Sequence, residues 1–372
     1  MSSQTQKWRN QLLKLEGAVK ERRNPFRTVL KSPSPSVNYI FGKGNGLPFG
    51  YSAILYGPYK GGKTLLSNLM IGSLHQSDPD AMALKFDAEY RSEAQLTEDD
   101  DLKFGIDPDR LVVVEGNQPG NVFNQIAKDV ESMCQDGMNL KLIVIDSISG
   151  IVGRRELENG DVEKQTIGDQ AQTVQIGLKM ILPVIRKYKI ALVIIAQARS
   201  EMDQWVAKRN GHSYKMQGSF GLKHFAEYFI FVERNDTKEG RADALGNEFV
   251  DTSVEGFDGK PEKVATKHRI KMQSSSIQGG EGRTGEFTFH KSKGLINTWE
   301  EIGRLAMGHN IVTQEGAFYL YGDQKWRSKD RVLEAIRDNP SLEKELCDKL
   351  FQLDSSGSLT GSLNDIEIEL PE

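Results

Sequence analysis

The sequence is poor in the features that mark secreted, membrane or metal-cluster proteins. Only two cysteines, Cys134 and Cys347, occur in 372 residues, too few for a disulfide framework or a cysteine zinc site. No apolar run approaches the roughly 18 residues of a membrane span. The charged N-terminus lacks the apolar core of a secretory signal, so a reducing cytoplasm is the expected setting. Large net charge is missing too: the formal value is −4, so any nucleic-acid binding must come from local patches. What remains, with 38% apolar and 27% charged residues, fits a soluble globular chain. The length allows one large domain or a core with smaller additions.

Charge is unevenly distributed. Residues 1–31 hold eight Lys/Arg against two Glu, whereas residues 353–372 hold five acidic residues and no basic one. That Ser/Gly-rich end reads as a mobile acidic tail, either merely solvated or competing with an anionic ligand for a basic surface. Near the N-terminus Trp8, Leu12, Leu15 and Val19 recur at helical spacing, predicting an amphipathic helix over 6–22. It would dock on its own core or on a neighbouring subunit. Pro25 and the Ser32–Ser36 stretch with its two prolines read as a linker.

From Tyr51 onward, short apolar runs alternate with helical segments. Strands are predicted at Ser52–Tyr56, Ala81–Phe86, Leu111–Val114, Lys141–Ile145, Ala191–Ile195 and Tyr228–Val232, with helices at Thr64–His75, Asn121–Cys134 and Gln170–Lys187. This rhythm predicts an α/β fold with a mostly parallel sheet covered on both faces. Pro183 is expected to kink the third helix. Two long polar segments, Gly153–Gly168 and Ala198–Gly221, break the rhythm and read as functional or disordered loops.

The segment Gly57-Pro58-Tyr59-Lys60-Gly61-Gly62-Lys63-Thr64 follows an apolar strand and opens a helix, the context a phosphate-binding loop requires. Its glycines let backbone N–H groups converge on phosphate oxygens at a helix N-terminus. Lys63 is expected to reach the β- and γ-phosphates and Thr64 to ligate Mg²⁺. Asp146 ends the strand Leu142–Ile145, where an acid would orient the Mg²⁺ shell. Glu89, after Phe86-Asp87-Ala88, reads equally as a carboxylate that takes a proton from water or as a cap or surface charge. Gln197 is placed to sense a γ-phosphate and pass its state to the loop starting at Ala198.

These residues resemble the RecA-type homologous recombinases, including the phage UvsX-like branch. Leu47-Pro48-Phe49-Gly50, the P-loop, Phe86-Asp87-Ala88-Glu89, Ile145-Asp146-Ser147 and Ala196-Gln197-Ala198-Arg199 stand in that family's order and approximate spacing. Gly316-Ala317-Phe318-Tyr319-Leu320-Tyr321 and Arg337-Asp338-Asn339-Pro340 resemble its small C-terminal domain. The resemblance implies a filament-forming, DNA-dependent ATPase that uses ATP and Mg²⁺ and pairs single-stranded DNA with a homologous duplex. It implies Glu89 as catalytic glutamate, Gln197 as the coupling residue and the two long loops as DNA-binding segments. Their candidate contacts are Arg154, Arg155 and Lys164 in the first, and Arg199, Trp205, Lys208, Arg209 and Lys215 in the second. Cations attract phosphate and aromatic faces stack on bases; charge alone, diluted by Glu156, Glu158, Asp161, Glu201 and Asp203, favours solvated loops, and the resemblance reverses that.

The chain also departs from the family. Glu93, Ala94, Gln95 and Leu96 fill the region where an adenine-stacking aromatic commonly stands. Among the basic residues expected to reach a neighbour's ATP, Lys271 is the principal candidate with His268 and Arg269, but Gln273 and Ser274 follow where a second cation would be expected. The implied division is a helix and linker over 1–35, an ATPase core over 36–295, a small α+β domain over 296–352 and an acidic tail over 353–372. Partners would be a helical homo-oligomer, both forms of DNA, and mediator and single-stranded-DNA-binding proteins, with no membrane. A phage origin would place it in a bacterial host's cytoplasm. A hexameric helicase on the same core and a P-loop DNA-binding mediator are the competing classes.

Overall fold

The computed structural model describes residues 3–15, 24–91, 102–159, 168–202, 205, 208, 212–216, 222, 225–255, 261–277 and 279–355. Six strands carry the centre: β1 (Ser52–Gly57), β2 (Met82–Asp87), β3 (Leu111–Glu115), β4 (Leu140–Asp146), β5 (Ala191–Ser200) and, after the short β6 (Tyr214–Met216), β7 (Tyr228–Arg234). The sheet continues through β8 (Ala265–Ser275), β9 (Thr284–His290) and β10 (Gly294–Ile296) in the order β10-β9-β8-β7-β1-β5-β4-β2-β3, with β6 paired to β5. The six central strands pair in parallel and β8 to β10 antiparallel. All six expected strands are present. The antiparallel β8 buries Lys267 and His268 among its apolar residues, which hides the two-residue alternation of a half-buried strand.

Alternate residues of each strand feed two cores. On one face Ala53, Leu55, Leu142 and Val144 meet the helix Lys63–Ser77 and the helix Pro35–Ile40. On the other, Ile54, Tyr56, Ile143 and Ile145 meet the π-helical segment Gly120–Val130 and the helix Asp169–Tyr188. Covering both faces is what lets parallel strands read as unbroken apolar runs. Asp169–Tyr188 runs as one helix through Pro183. Pro183 lies on the exposed side, where water can satisfy the carbonyl that loses its partner.

Two further expectations are corrected. The segment read as a linker is packed: Ser34 caps Pro35–Ile40 by accepting from the Val37 N–H at 3.2 Å, and the whole helix is buried. Proline at the first helical position and serine at the cap are a helix start, which outweighs their reading as linker composition. The N-terminal helix spans Ser3–Leu12, and Trp8, Leu12 and Leu15 are exposed rather than packed on the chain's own core; Val19 lies outside the described residues. A third core gathers Trp299, Ile302, Leu333, Ile336 and Leu346 beside the antiparallel sheet Thr313–Glu315, Phe318–Tyr321, Gln324–Trp326. The acidic tail lies outside the described residues.

Candidate nucleotide and DNA site

The phosphate-binding loop sits where β1 meets the helix Lys63–Ser77. At Gly57 any Cβ would overlap the Val232 carbonyl oxygen of the neighbouring strand. Gly62 has φ +103° and lies directly on the His268 ring, so a side chain is excluded twice over. His268 supports the loop from below: Nδ1 is 2.8 Å from the Gly61 carbonyl and Nε2 is 2.9 Å from the Thr266 hydroxyl. Burial drops its pKa to about 4. The ring is therefore neutral, with Nδ1–H donating to Gly61. The helix starts at Gly62 without a side-chain cap, leaving its first N–H groups free for an anion. Pro58 is half-buried, and Tyr59 and Lys60 are exposed on the loop's outer side.

Lys63 donates to the carbonyls of Gly57 at 3.0 Å and Pro58 at 2.7 Å, lying across its own loop. Burial lowers its pKa against the opposing pull of Asp146 and Glu89. Thr64 Oγ1 donates to Asp146 Oδ2 at 2.8 Å. Burial raises the Asp146 pKa although Lys85 Nζ stands 3.8 Å away. A hydroxyl and an undercompensated carboxylate at the mouth of a phosphate loop fit a hard divalent cation. Sequence patterns assign no role to Lys85; its one signal is a lysine inside the strand Met82-Ala83-Leu84-Lys85-Phe86-Asp87, where it is fully buried.

Glu89 is brought to the same mouth. Its Oε1 accepts from Ser147 Oγ at 2.6 Å and from Gln197 Nε2 at 2.8 Å, while Oε2 pairs with Arg91 at 3.0 Å. The capping role falls to Asp87, which accepts from the Glu89 and Arg91 N–H groups. Gln197 is tied by its own N–H to Ser149 Oγ at 3.0 Å. Lys63, Thr64, Glu89, Asp146 and Gln197 thus form one cluster across the C-terminal ends of β1, β2, β4 and β5.

The expected loop from Ala198 is corrected. β5 continues to Ser200 and pairs with β6, placing Arg199 opposite Lys215. Both are exposed. His212 anchors this hairpin: its ring stacks on Phe231 at 3.7 Å, Nδ1 accepts from the Tyr214 N–H, and Nε2 meets the Tyr56 hydroxyl at 3.2 Å. Burial and then the Lys271 charge lower its pKa. Trp205 is 84% exposed and Lys208 is exposed. Arg154 and Arg155 lie exposed on the helix Arg154–Asn159, with Arg154 bonded to Glu158 at 2.8 Å. Lys164 and Arg209 lie outside the described residues. Of the cations on β8, His268 is turned inward and Arg269 is held by Glu286 at 2.8 Å; Lys271 is half-buried, and burial lowers its pKa.

A parallel sheet whose first strand ends in a P-loop, with an acid closing β4 and a glutamate just beyond β2 at the same mouth, defines a P-loop nucleoside-triphosphate hydrolase. Comparison with known families narrows this class. The model of the RecA N-terminal domain matches residues 10–268, and the chain belongs to that family. It is similar to protein RecA of Streptomyces ambofaciens, at 27% identity over 325 residues, covering 87% of this chain and 77% of that protein. RecA of Streptomyces avermitilis is 28% identical over 331 residues, with 89% and 78% covered. RecA of Pseudarthrobacter chlorophenolicus is 27% identical over 319 residues, with 86% and 80% covered. The chain is a RecA-like recombinase of DNA recombination and repair, a DNA-dependent ATPase that binds DNA and forms oligomeric filaments. The helicase and mediator classes are not favoured. No helix among the described residues is long and apolar enough to cross a membrane.

Proposed function

We propose that this chain binds Mg²⁺-ATP at Gly57–Thr64, forms a helical filament on single-stranded DNA and pairs that strand with a homologous duplex. The contact that supports this reading most is the shared Oε1 of Glu89, bonded to Gln197 on the strand that runs on into the Arg199/Lys215 hairpin. Gln197 reports the state of the nucleotide mouth to a cationic hairpin. Lys63 releases its own carbonyls to hold the β- and γ-phosphates, and Thr64 and Asp146 hold Mg²⁺. When bound, the ion neutralises charge on the phosphate oxygens. Glu89 aligns the attacking water and takes its proton.

Arg154, Arg155, Lys164, Arg199, Lys208, Arg209 and Lys215 then attract DNA phosphates, and Trp205 offers a stacking face. Lys271 serves the nucleotide of an adjacent protomer, and the exposed Trp8/Leu12/Leu15 stripe docks on that neighbour. The working division is an N-terminal arm, an ATPase core to about residue 295, a small C-terminal domain and an acidic tail. The setting is the cytoplasm, with mediator and single-stranded-DNA-binding proteins as accessory partners.

The test is ATP turnover with and without single-stranded DNA, alongside electron microscopy of the product. Strong stimulation and helical filaments are expected. Glu89→Gln should slow turnover by roughly 10²–10³-fold while ATP-dependent filaments persist. Rapid filament loss in that variant contradicts the role of Glu89, and Lys63→Ala should abolish nucleotide-dependent DNA binding.

A further inference from the structure

Arg91 has no place in the scheme above, yet the turn that carries it is built around it. Asp87 Oδ2 accepts from the Arg91 N–H at 2.6 Å, and Asp87 Oδ1 holds the Glu89 N–H at 2.9 Å. Between them Tyr90 sits at φ +54°, a left-handed conformation that a bulky residue adopts only when its surroundings impose it. The base of the Arg91 side chain is fixed, and its guanidinium lies in two contacts. It pairs with Glu89 Oε2 at 3.0 Å and lies 5.8 Å from the ring centroid of Tyr59, an exposed residue of the phosphate loop.

The two contacts have opposite consequences for chemistry. Glu89 Oε1 already accepts from Ser147 and Gln197. With Arg91 on Oε2, both carboxylate oxygens are occupied, and the group is poorly placed to receive a proton from water. The pair is also weakly held, because the Arg91 side chain is 48% exposed and solvent screens such pairs. A terminal phosphate carries more charge than a carboxylate and offers the paired oxygens a guanidinium fork prefers. Lys85 does not compete for this part, because it is buried beside Asp146.

We propose that Arg91 is a γ-phosphate-sensing residue acting within its own protomer, which clamps Glu89 while the site lacks a triphosphate and transfers to the terminal phosphate when one binds. Transfer frees Glu89 Oε2 and brings a positive charge to the transferred group in one motion. Water oxygen then bonds to the γ-phosphorus, the bond to the β,γ-bridging oxygen breaks with its electron pair remaining on ADP, and the water proton passes to Glu89. This inference rests on the reading of Gly57–Thr64 as the nucleotide site.

The test compares binding of ADP and of a β,γ-imido ATP analogue by calorimetry, with turnover measured in parallel on the full chain. Arg91→Ala is expected to weaken the triphosphate analogue about tenfold while ADP affinity stays within about twofold, and to lower kcat by roughly 10²-fold. Arg91→Lys should recover a substantial part of both losses, since it keeps the charge without the fork. An unchanged ratio of the two affinities in Arg91→Ala overturns the proposal, as does equal weakening of both nucleotides. Lys63→Ala separates the two readings. If it leaves both affinities intact, the nucleotide site itself is misassigned; if it weakens both while Arg91→Ala leaves their ratio alone, only the sensing role fails.

Discussion

Lys85 is the residue whose position is hardest to explain by packing alone. Its side chain is 1% exposed and its ammonium faces Asp146 at 3.8 Å, beside the hydroxyl of Thr64. A buried charge without its partner is costly, so truncating one member of such a pair typically loses about 3–5 kcal/mol. Lys85→Met is therefore expected to lower the unfolding midpoint strongly in the absence of nucleotide. Because Asp146 would then be uncompensated, added Mg²⁺ and nucleotide should restore more of the midpoint in Lys85→Met than in the parent. Thermal unfolding with and without these ligands checks this, and an equal shift in both proteins would contradict it. The lysine was visible in the strand's sequence, but its partner was not, because Asp146 stands on a different strand and meets it only through the pairing of β2 with β4.

At the scale of elements, the hairpin of β5 and β6 shows how a short segment is held in place. β6 has three residues, too few to be stable on ladder bonds alone, and His212 supplies the rest through Tyr56 on β1 and Phe231 on β7. Losing one buried hydrogen bond and one ring stack costs about 1–3 kcal/mol together. His212→Ala should accordingly weaken nucleotide-dependent binding of single-stranded DNA about tenfold and speed proteolytic cleavage between Ser200 and Tyr214. Tyr56→Phe should move both readouts in the same direction by less. Unchanged protease sensitivity in His212→Ala would remove the anchoring role. Periodicity identified the six parallel strands, since each reads as an apolar run; five are largely covered on both faces, while the edge strand β3 keeps the run although it is half-exposed. It did not reveal β6 or β8, whose polar residues are stabilised by ring stacking, ion pairs and the phosphate loop rather than by apolar burial.

Across the whole molecule, the third core is joined to the sheet by buried polar contacts. Lys267 on β8 pairs with Glu300 at 2.8 Å, and Glu301 accepts from Ser34 Oγ at 2.5 Å and the Ser36 N–H at 2.8 Å. Burial raises the Glu301 pKa from 4.5 to about 8, against the hydrogen bonds from Ser34 and Ser36 and with help from the Glu300 charge. Between these values the folded chain holds a proton that the unfolded chain has released. The contribution of Glu301 is thus fully present below about pH 4.5 and is lost as pH rises through about 8. Glu301→Gln keeps the acceptor without the charge and should flatten this slope, gaining stability relative to the parent at pH 8 by on the order of a few kcal/mol. Unfolding midpoints of both proteins at pH 5 and pH 8 decide it; parallel pH profiles would show that Glu301 does not titrate in this window.

The sequence alone determined the P-loop, the order of the parallel strands along the chain and the family resemblance, because each is a local pattern. Gly57 to Thr64 must adopt one kind of turn, and a doubly covered strand must be apolar throughout. The tertiary structure decided what those parts do to one another. Ser147 and Gln197 converge on Glu89 Oε1 from separate strands, and Arg91 of its own turn takes Oε2. His268 stood among candidate contacts to a neighbour until β8 folded beside the phosphate loop and turned it onto Gly61. Such assignments depend on distances of about 3 Å between residues tens to hundreds of positions apart, and only the pairing of strands in three dimensions sets those.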